Sequence, residues 1–500
     1  MQRKYHSIVF FSAWVVLVVL VSCADAFAPA RAHSSNPWPA FLSSCHPLGV
    51  DGPALCGKYE VFENRPARTG RKIGLKLIVL PASGNEHTSD PVFWLHGGPG
   101  AAATQAVAAA REGFLQALRG HRDLVFVDQR GTGESNGLRC DLGDDPSDPK
   151  TFFGDLFPLD LVKRCRTKLE SAADLRLYTT PIAMDDLDEV RAALGYERIN
   201  LVAASYGTIA ALVYMRQHQD HLRAVFLAGV ANTNIRLPLH FPGAAQRVLD
   251  LLFEDCAADS ICHQHFPDLK PEFAAVLKRF AHGPVTASVP KPASAETQTI
   301  EITRGNFVER IRLLLYTTAF ARFVPLIVHR AFENDYSPFI ELAVRYNPGA
   351  IIARGMYLTV TCSENVPFIT EDDVRKTRDT FVGEYRVRAH MAACKEWPRG
   401  AIPKSYVKPV ASQVPVLMIS GELDGSTPPS LGTEATAHMP NARQVRIRYY
   451  GHQLDSPCIW KLLADFIETG SSANLDTSCT ESIRRPAFAT DLEALKAGSE

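Results

Sequence analysis

The sequence predicts an α/β protein: a mostly parallel sheet with helices on both faces, interrupted by a long and largely helical insertion. Three observations predict it. Short apolar runs alternate with segments of helical period through the first half of the chain. That alternation stops near Ala231 and resumes after Gln413, an interval far too long for a loop. The ends of several apolar runs carry Gly, Ser, Asp or His, the residue types expected where ligands bind at the edge of an open α/β sheet.

The N-terminus stands apart from that pattern. Arg3 and Lys4 precede an apolar run from Ile8 to Val21, broken only by Ser12 and followed by Ala24-Asp25-Ala26. This is a secretory signal pattern over residues 1–26. The run is shorter than the ~20 residues a spanning helix requires. Leu20-Val21-Ser22-Cys23 also resembles a lipobox, which would place lipid on Cys23 and make the membrane a partner. Residues 27–43, rich in Ala, Pro and Ser, read as a linker.

The core follows in two parts, 44–231 and 413–500. Strand candidates in the first are Tyr59–Phe62, Ile73–Leu80, Pro91–Leu95, Leu124–Asp128, Ile199–Ala203 and Ala224–Ala228. Val416–Ser420 and Val445–Tyr449 complete the series. Helical patterns lie between them at Ala101–Arg119, Ile182–Leu194, Gly207–Gln219, Thr433–His438 and Ile459–Thr469. The insertion, 232–412, carries helical patterns at Gly243–Phe253, Glu272–Phe280, Phe307–Tyr316 and Ala321–Phe332. A Pro-rich stretch runs from Pro284 to Pro292. The insertion is expected to sit as a cap over the sheet's C-terminal edge.

Composition narrows the function. Hydrophobic residues make up 46% of 500 and charged residues 21%, which fits a folded chain rather than a disordered one. Lys+Arg 53 against Asp+Glu 54 leaves a net charge of −1, without the basic excess of a general nucleic-acid binder. Of 11 cysteines, ten remain beyond Cys23, an even number that reads as disulfides in an exported chain. They fall into neighbours: 45–56, 140–165, 256–262, 362–394 and 458–479. Cys262-His263-Gln264-His265 could be read as a metal cluster, but an oxidising compartment favours the disulfide. No cofactor and no metal is expected.

The chemistry begins at Ser205. It stands where a strand meets a helix, with Ala203 two residues before and Gly207 two after. Small residues there let a nucleophile elbow lift the hydroxyl above the sheet; the G-x-S-x-G pattern has Gly where this chain has Ala203. A serine needs a base, and the base a carboxylate. In this fold type they follow in the order Ser, acid, His. Asp424 follows one apolar run and His452 the next, so Ser205, Asp424 and His452 form the expected triad. Oxyanion donors are expected at the Tyr206 N–H and, within His96-Gly97-Gly98-Pro99-Gly100, at Gly98.

Three motifs together carry a resemblance: His96-Gly97-Gly98-Pro99-Gly100, Asp128-Gln129-Arg130-Gly131-Thr132-Gly133-Glu134-Ser135 and Ser205-Tyr206-Gly207-Thr208. They resemble the proline iminopeptidase family of α/β-hydrolase serine peptidases. Cys56–Arg65, Val360–Glu364 and the Cys458, Cys479 pair resemble its secreted tripeptidyl-aminopeptidase-like branch. The resemblance implies an α/β-hydrolase fold and release of residues or short peptides from free N-termini. It also implies an acid in the insertion to hold the substrate ammonium, for which Glu364 is the candidate by motif position. Arg130 is expected to tie loops together beneath the site. The substrate is a peptide or a small ester, because a carboxylesterase would use the same triad. A non-catalytic binding protein of this fold is the reading from another class.

Overall fold

In the computed structural model, the apolar runs pair into one sheet. The structure describes residues 38–50, 52–84, 87–111, 118–143, 145–290, 297–453 and 456–493. The expected signal segment 1–26, Cys23 and most of the linker lie outside the described residues. The strands are β1 (Leu42–Cys45), β2 (Ala54–Phe62), β3 (Lys72–Leu80), β4 (Val92–Leu95), β5 (Leu124–Val127), β6 (Ile199–Ala204) and β7 (Leu222–Ala228). The insertion adds β8 (Val285–Pro290) and β9 (Thr297–Ile302), and the last two strands are β10 (Val416–Gly421) and β11 (Ala442–Ile447).

The order across the sheet is β1-β2-β3-β5-β4-β6-β7-β10-β11. From β1 to β5 the pairing is antiparallel; from β5 to β11 it is parallel. Strands β4, β5 and β10 are buried at every residue, because helices cover both faces and leave no solvent side. Register brings the C-terminal ends together: Leu95 faces Ala203, Ala204 faces Ala228, and Gly421 faces Ile447. Every loop that leaves β4, β6, β7, β10 or β11 forward therefore opens on one edge.

The helices of the core are α1 (Leu159–Glu170), α2 (Thr180–Ala193) and α3 (Tyr206–His218). Those of the insertion are α4 (Phe241–Ala258), α5 (Ser260–His265), α6 (Leu269–Arg279), α7 (Arg304–Leu314), α8 (Val324–Phe332), α9 (Ser337–Arg345), α10 (Arg354–Glu364) and α11 (Tyr385–Lys395). The core closes with α12 (Pro429–Thr436) and α13 (Pro457–Thr469). One apolar cluster joins the sheet to α13 through Phe126, Phe226, Ile419, Leu462 and Phe466. A second fills the cap with Phe253, Phe273, Phe307, Leu326 and Phe339, and takes in Phe152 and Phe153 from the core. The five near-neighbour cysteine pairs are all disulfides. No helix among the described residues is long and apolar enough to cross a membrane.

Three expectations change. The linker does not run to residue 43, since β1 starts at Leu42, which is buried and pairs with Gly57. The helical pattern at Ala101–Arg119 opens as a 3-10 helix, Ala103–Arg111, held at its start by Thr104, whose N–H and hydroxyl both donate to Asp128, and residues 112–117 lie outside the described residues. The Pro-rich stretch hides the antiparallel hairpin β8–β9, closed by residues outside the description. Arg130 does tie loops together. Fully buried, it donates to Asp186 and to the carbonyls of Glu63 and Leu177.

The chain's end returns to the cap. After α13, Arg443 holds the carbonyls of Ser472 and Leu475. Arg485 then pairs with Asp255 on α4, the Ala489 N–H donates to the Arg322 carbonyl at 3.1 Å, and Phe488 and Leu492 pack on the cap's core.

Candidate active site

Ser205 is the sharp turn between β6 and α3. Its backbone sits at φ 57°, ψ −127°, a conformation that L-residues reach only under strain. The turn is tight because of what surrounds it. A Cβ at Gly207 would lie 2.3 Å from the Leu95 carbonyl oxygen, so glycine is required there. Ala203 costs nothing: it is an in-sheet residue of β6, buried opposite Leu95 and Leu227. Tyr206 begins α3, and a first-turn N–H has no acceptor within its own helix.

The loop after β4 supplies the facing wall. Gly98 adopts φ 120°, open to glycine and strained for any other residue. His96 shapes the loop by accepting the Gly97 N–H on Nδ1 at 2.7 Å. Desolvation pushes its pKa down to about 4, so the ring is neutral and its proton sits on Nε2.

Asp424 lies three residues past β10, fully buried. Its Oδ1 accepts the N–H groups of Ser426 and Thr427, each at 2.7 Å. Its Oδ2 accepts the Thr427 hydroxyl at 2.7 Å and meets His452 Nδ1 at 2.8 Å. Burial alone would raise this carboxyl, but His452 and the Thr427 hydrogen bonds outweigh it and hold the pKa below the ordinary value. An ionised Asp424 accepts only, so Nδ1 of His452 carries the proton and Nε2 is left as a base. The His452 N–H donates to the Tyr316 carbonyl at 2.6 Å, and the Tyr316 ring packs 5.4 Å from the imidazole.

Ser205, Tyr206, Gly98 and His452 line one cavity of about 540 Å³. The cap roofs it with Leu237, Phe241, Tyr316, Ile352 and Tyr357. Glu309, Arg310, Arg312 and Arg386 from the cap are buried charges of its lining, and Asp155 is an exposed carboxylate of it.

Glu364 is elsewhere. It is 1% exposed and does not line the cavity. Its Oε1 accepts the Thr180 N–H at 2.6 Å, and its Oε2 accepts the Thr180 hydroxyl at 2.7 Å and the Tyr406 hydroxyl. The Thr180 hydroxyl also bonds the Tyr206 hydroxyl at 2.7 Å. Burial pushes its pKa up to about 7. Both oxygens are occupied, so the expectation that Glu364 receives a substrate ammonium is replaced by a place beneath the site. Sequence reasoning missed Asp155, Glu309, Arg312 and Arg386, none of which lies near a strand end. Thr427 was legible: Asp424-Gly425-Ser426-Thr427 has the spacing of an Asx turn.

Comparison with known proteins finds relatives along most of the chain. A sequence profile described as TAP-like protein matches residues 379–479. "Serine protease Hip1" of Mycobacterium tuberculosis is 23% identical over 457 residues, covering 84% of this chain and 86% of its own. "Tripeptidyl aminopeptidase" of Streptomyces coelicolor is 24% identical over 469 residues, covering 85% and 83%. A crystal structure of proline iminopeptidase from Mycobacterium smegmatis covers 83% of this chain and 98% of its own at 17% identity, with a TM-score of 0.36. The fold and these relatives define the class: the chain is a serine hydrolase of the α/β-hydrolase fold. Within that class the chain is similar to proteins named serine protease, tripeptidyl aminopeptidase and probable proline iminopeptidase.

Proposed function

We propose that this chain is an exported aminopeptidase that releases short N-terminal segments of peptides through an acyl-enzyme on Ser205. The observation that carries the reading is the Asp424–His452 contact of 2.8 Å beside a serine held in the elbow conformation. His452 Nε2 takes the Ser205 proton as Oγ attacks the scissile carbonyl, and Asp424 stabilises the imidazolium that forms. The N–H groups of Tyr206 and Gly98 receive the oxyanion. The proton then passes to the leaving amine, and water releases the acyl group by the same steps in reverse.

Exopeptidase action is supported by the roof. A cavity of about 540 Å³ suits a few residues, not a chain threading through. With Glu364 saturated, Asp155 takes the role of holding the α-ammonium. It lines the cavity at its exposed side and makes no ion pair among the described residues. Export is supported by the signal pattern and by the pairing of all ten remaining cysteines.

The test uses the full mature chain. A fluorophosphonate should label the wild type and fail to label Ser205→Ala. Free N-terminal tripeptidyl anilides should be cleaved and their N-acetylated forms rejected. Labelling of the Ala variant would refute the nucleophile, and equal cleavage of free and acetylated substrates would refute the aminopeptidase.

A further inference from the structure

Two arginines on the cap share one carboxylate beside the proposed catalytic histidine. Glu309 and Arg312 are on α7 and Arg386 is on α11, with exposures of 4%, 1% and 6%. Arg312 meets Glu309 through Nε at 2.9 Å and a terminal nitrogen at 2.5 Å, and Arg386 pairs with the same carboxylate. Their remaining partners are neutral. Arg312 donates to the Tyr316 hydroxyl at 2.7 Å and Arg386 to the Tyr357 hydroxyl at 2.9 Å. Both guanidiniums lie near the Phe241 ring, at 4.6 and 5.5 Å. Nε of Arg386 is buried with no hydrogen-bond partner.

The group therefore carries one positive charge in excess, in a cavity wall that also holds the rings of Phe241, Tyr316 and Tyr357. A buried guanidinium without a full countercharge is costly, and a bound anion relieves the cost. Tyr316 joins this cluster to His452, through its hydroxyl on one side and its carbonyl on the other. The cluster is thus a buried part of the wall of the cavity that Ser205 and His452 also line.

We propose that the Arg312–Glu309–Arg386 cluster selects substrates that bring a carboxylate into the cavity. This rests on the hydrolase reading of Ser205 and names the substrate class of that site. Asp155 and the cluster then read opposite charges of one substrate: the ammonium at the exposed side and the carboxylate at the buried wall. A carboxylate has two sources, an acidic side chain or a free C-terminus.

The experiment compares kcat/KM for matched substrates on the full mature chain. One arm uses tripeptidyl anilides with Glu against Gln at each of the three positions. A second uses tetra-alanine with a free against an amidated C-terminus. A neutral acyl ester and fluorophosphonate labelling report the underlying chemistry. We expect one arm to favour the carboxylate by about tenfold or more, the range of a charge-assisted hydrogen bond. Arg386→Gln should bring that ratio close to one, and Glu309→Gln, which adds to the positive excess, should raise it. A cluster that only joins α7 to α11 would not move the ratio in opposite directions. Ester turnover with no carboxylate preference in either arm overturns the inference and leaves the hydrolase standing. Absence of both turnover and labelling overturns the hydrolase reading as well. The wild-type ratios decide the matter even if a variant fails to fold.

Discussion

Replacing Glu364 by Gln should remove the loss of stability that this buried carboxyl is expected to impose as pH rises. Glu364 has an ordinary value of 4.5 that burial raises to about 7 in the folded chain. Between those values the folded state holds a proton that the unfolded state has lost. Its contribution is therefore complete below about pH 4.5 and is lost as pH rises through 7. The difference between 4.5 and 7 corresponds to about 3 kcal/mol. An entropy of unfolding near 2.1 cal/mol/K per residue over roughly 460 residues gives about 1 kcal/mol per degree, so the melting midpoint should drop by about 3 °C from this group. Gln at 364 keeps the shape, cannot ionise, and should remove that component. The assay is thermal melting of wild type and variant at pH 5 and pH 8, compared as a difference of differences so that other titrating groups cancel. Parallel pH dependence in the two proteins, within half a degree, would refute the reasoning.

Two further outcomes follow from the site. Asp424→Asn should lower kcat on a small chromogenic ester by on the order of 10⁴, because the imidazole loses its fixed tautomer; a loss under tenfold would remove Asp424 from the triad. Gly207→Ala puts a Cβ 2.3 Å from the Leu95 carbonyl oxygen and 3.0 Å from that of His96. Neither is free to give, since both belong to the strand end that carries the oxyanion loop. The variant should lose about 1–3 kcal/mol in denaturant unfolding and be labelled poorly by fluorophosphonate, whereas unchanged midpoint and labelling would mean that the elbow has slack.

The residues of the proposed triad are each suggested by a local signal: a small-residue turn, an acid, a histidine, each just past an apolar run. Parallel pairing then does the rest, since it sends every such loop to one edge. Glu364 was misread for the opposite reason. What saturates it comes from Thr180, 184 residues away, and Tyr406, 42 residues away, and no local pattern announces either. Glu309 and Arg312, three apart on a helix, have the spacing of an ordinary surface ion pair. Only the packing of Arg386 against them reveals a buried cluster with more cation than anion. The hairpin β8–β9 went unseen because Pro290 closes one strand inside a stretch whose prolines argue against any strand.

The return of the chain's end to the cap sets an order on how this molecule can be completed. Arg485 meets Asp255 across 230 positions of sequence, so the cap cannot gain these contacts until residue 485 has been made. Contacts of such separation form late, after the segments between them have found their own partners. A chain that stops short of Arg485 has every residue of the sheet and of the triad, yet leaves α4 without its anchor and Phe488 and Leu492 missing from the cap's interior. Shortening the protein at its tail therefore acts on the roof of the cavity while sparing its floor. Residues 485–492 belong, by what they touch, to the cap and not to the core that precedes them.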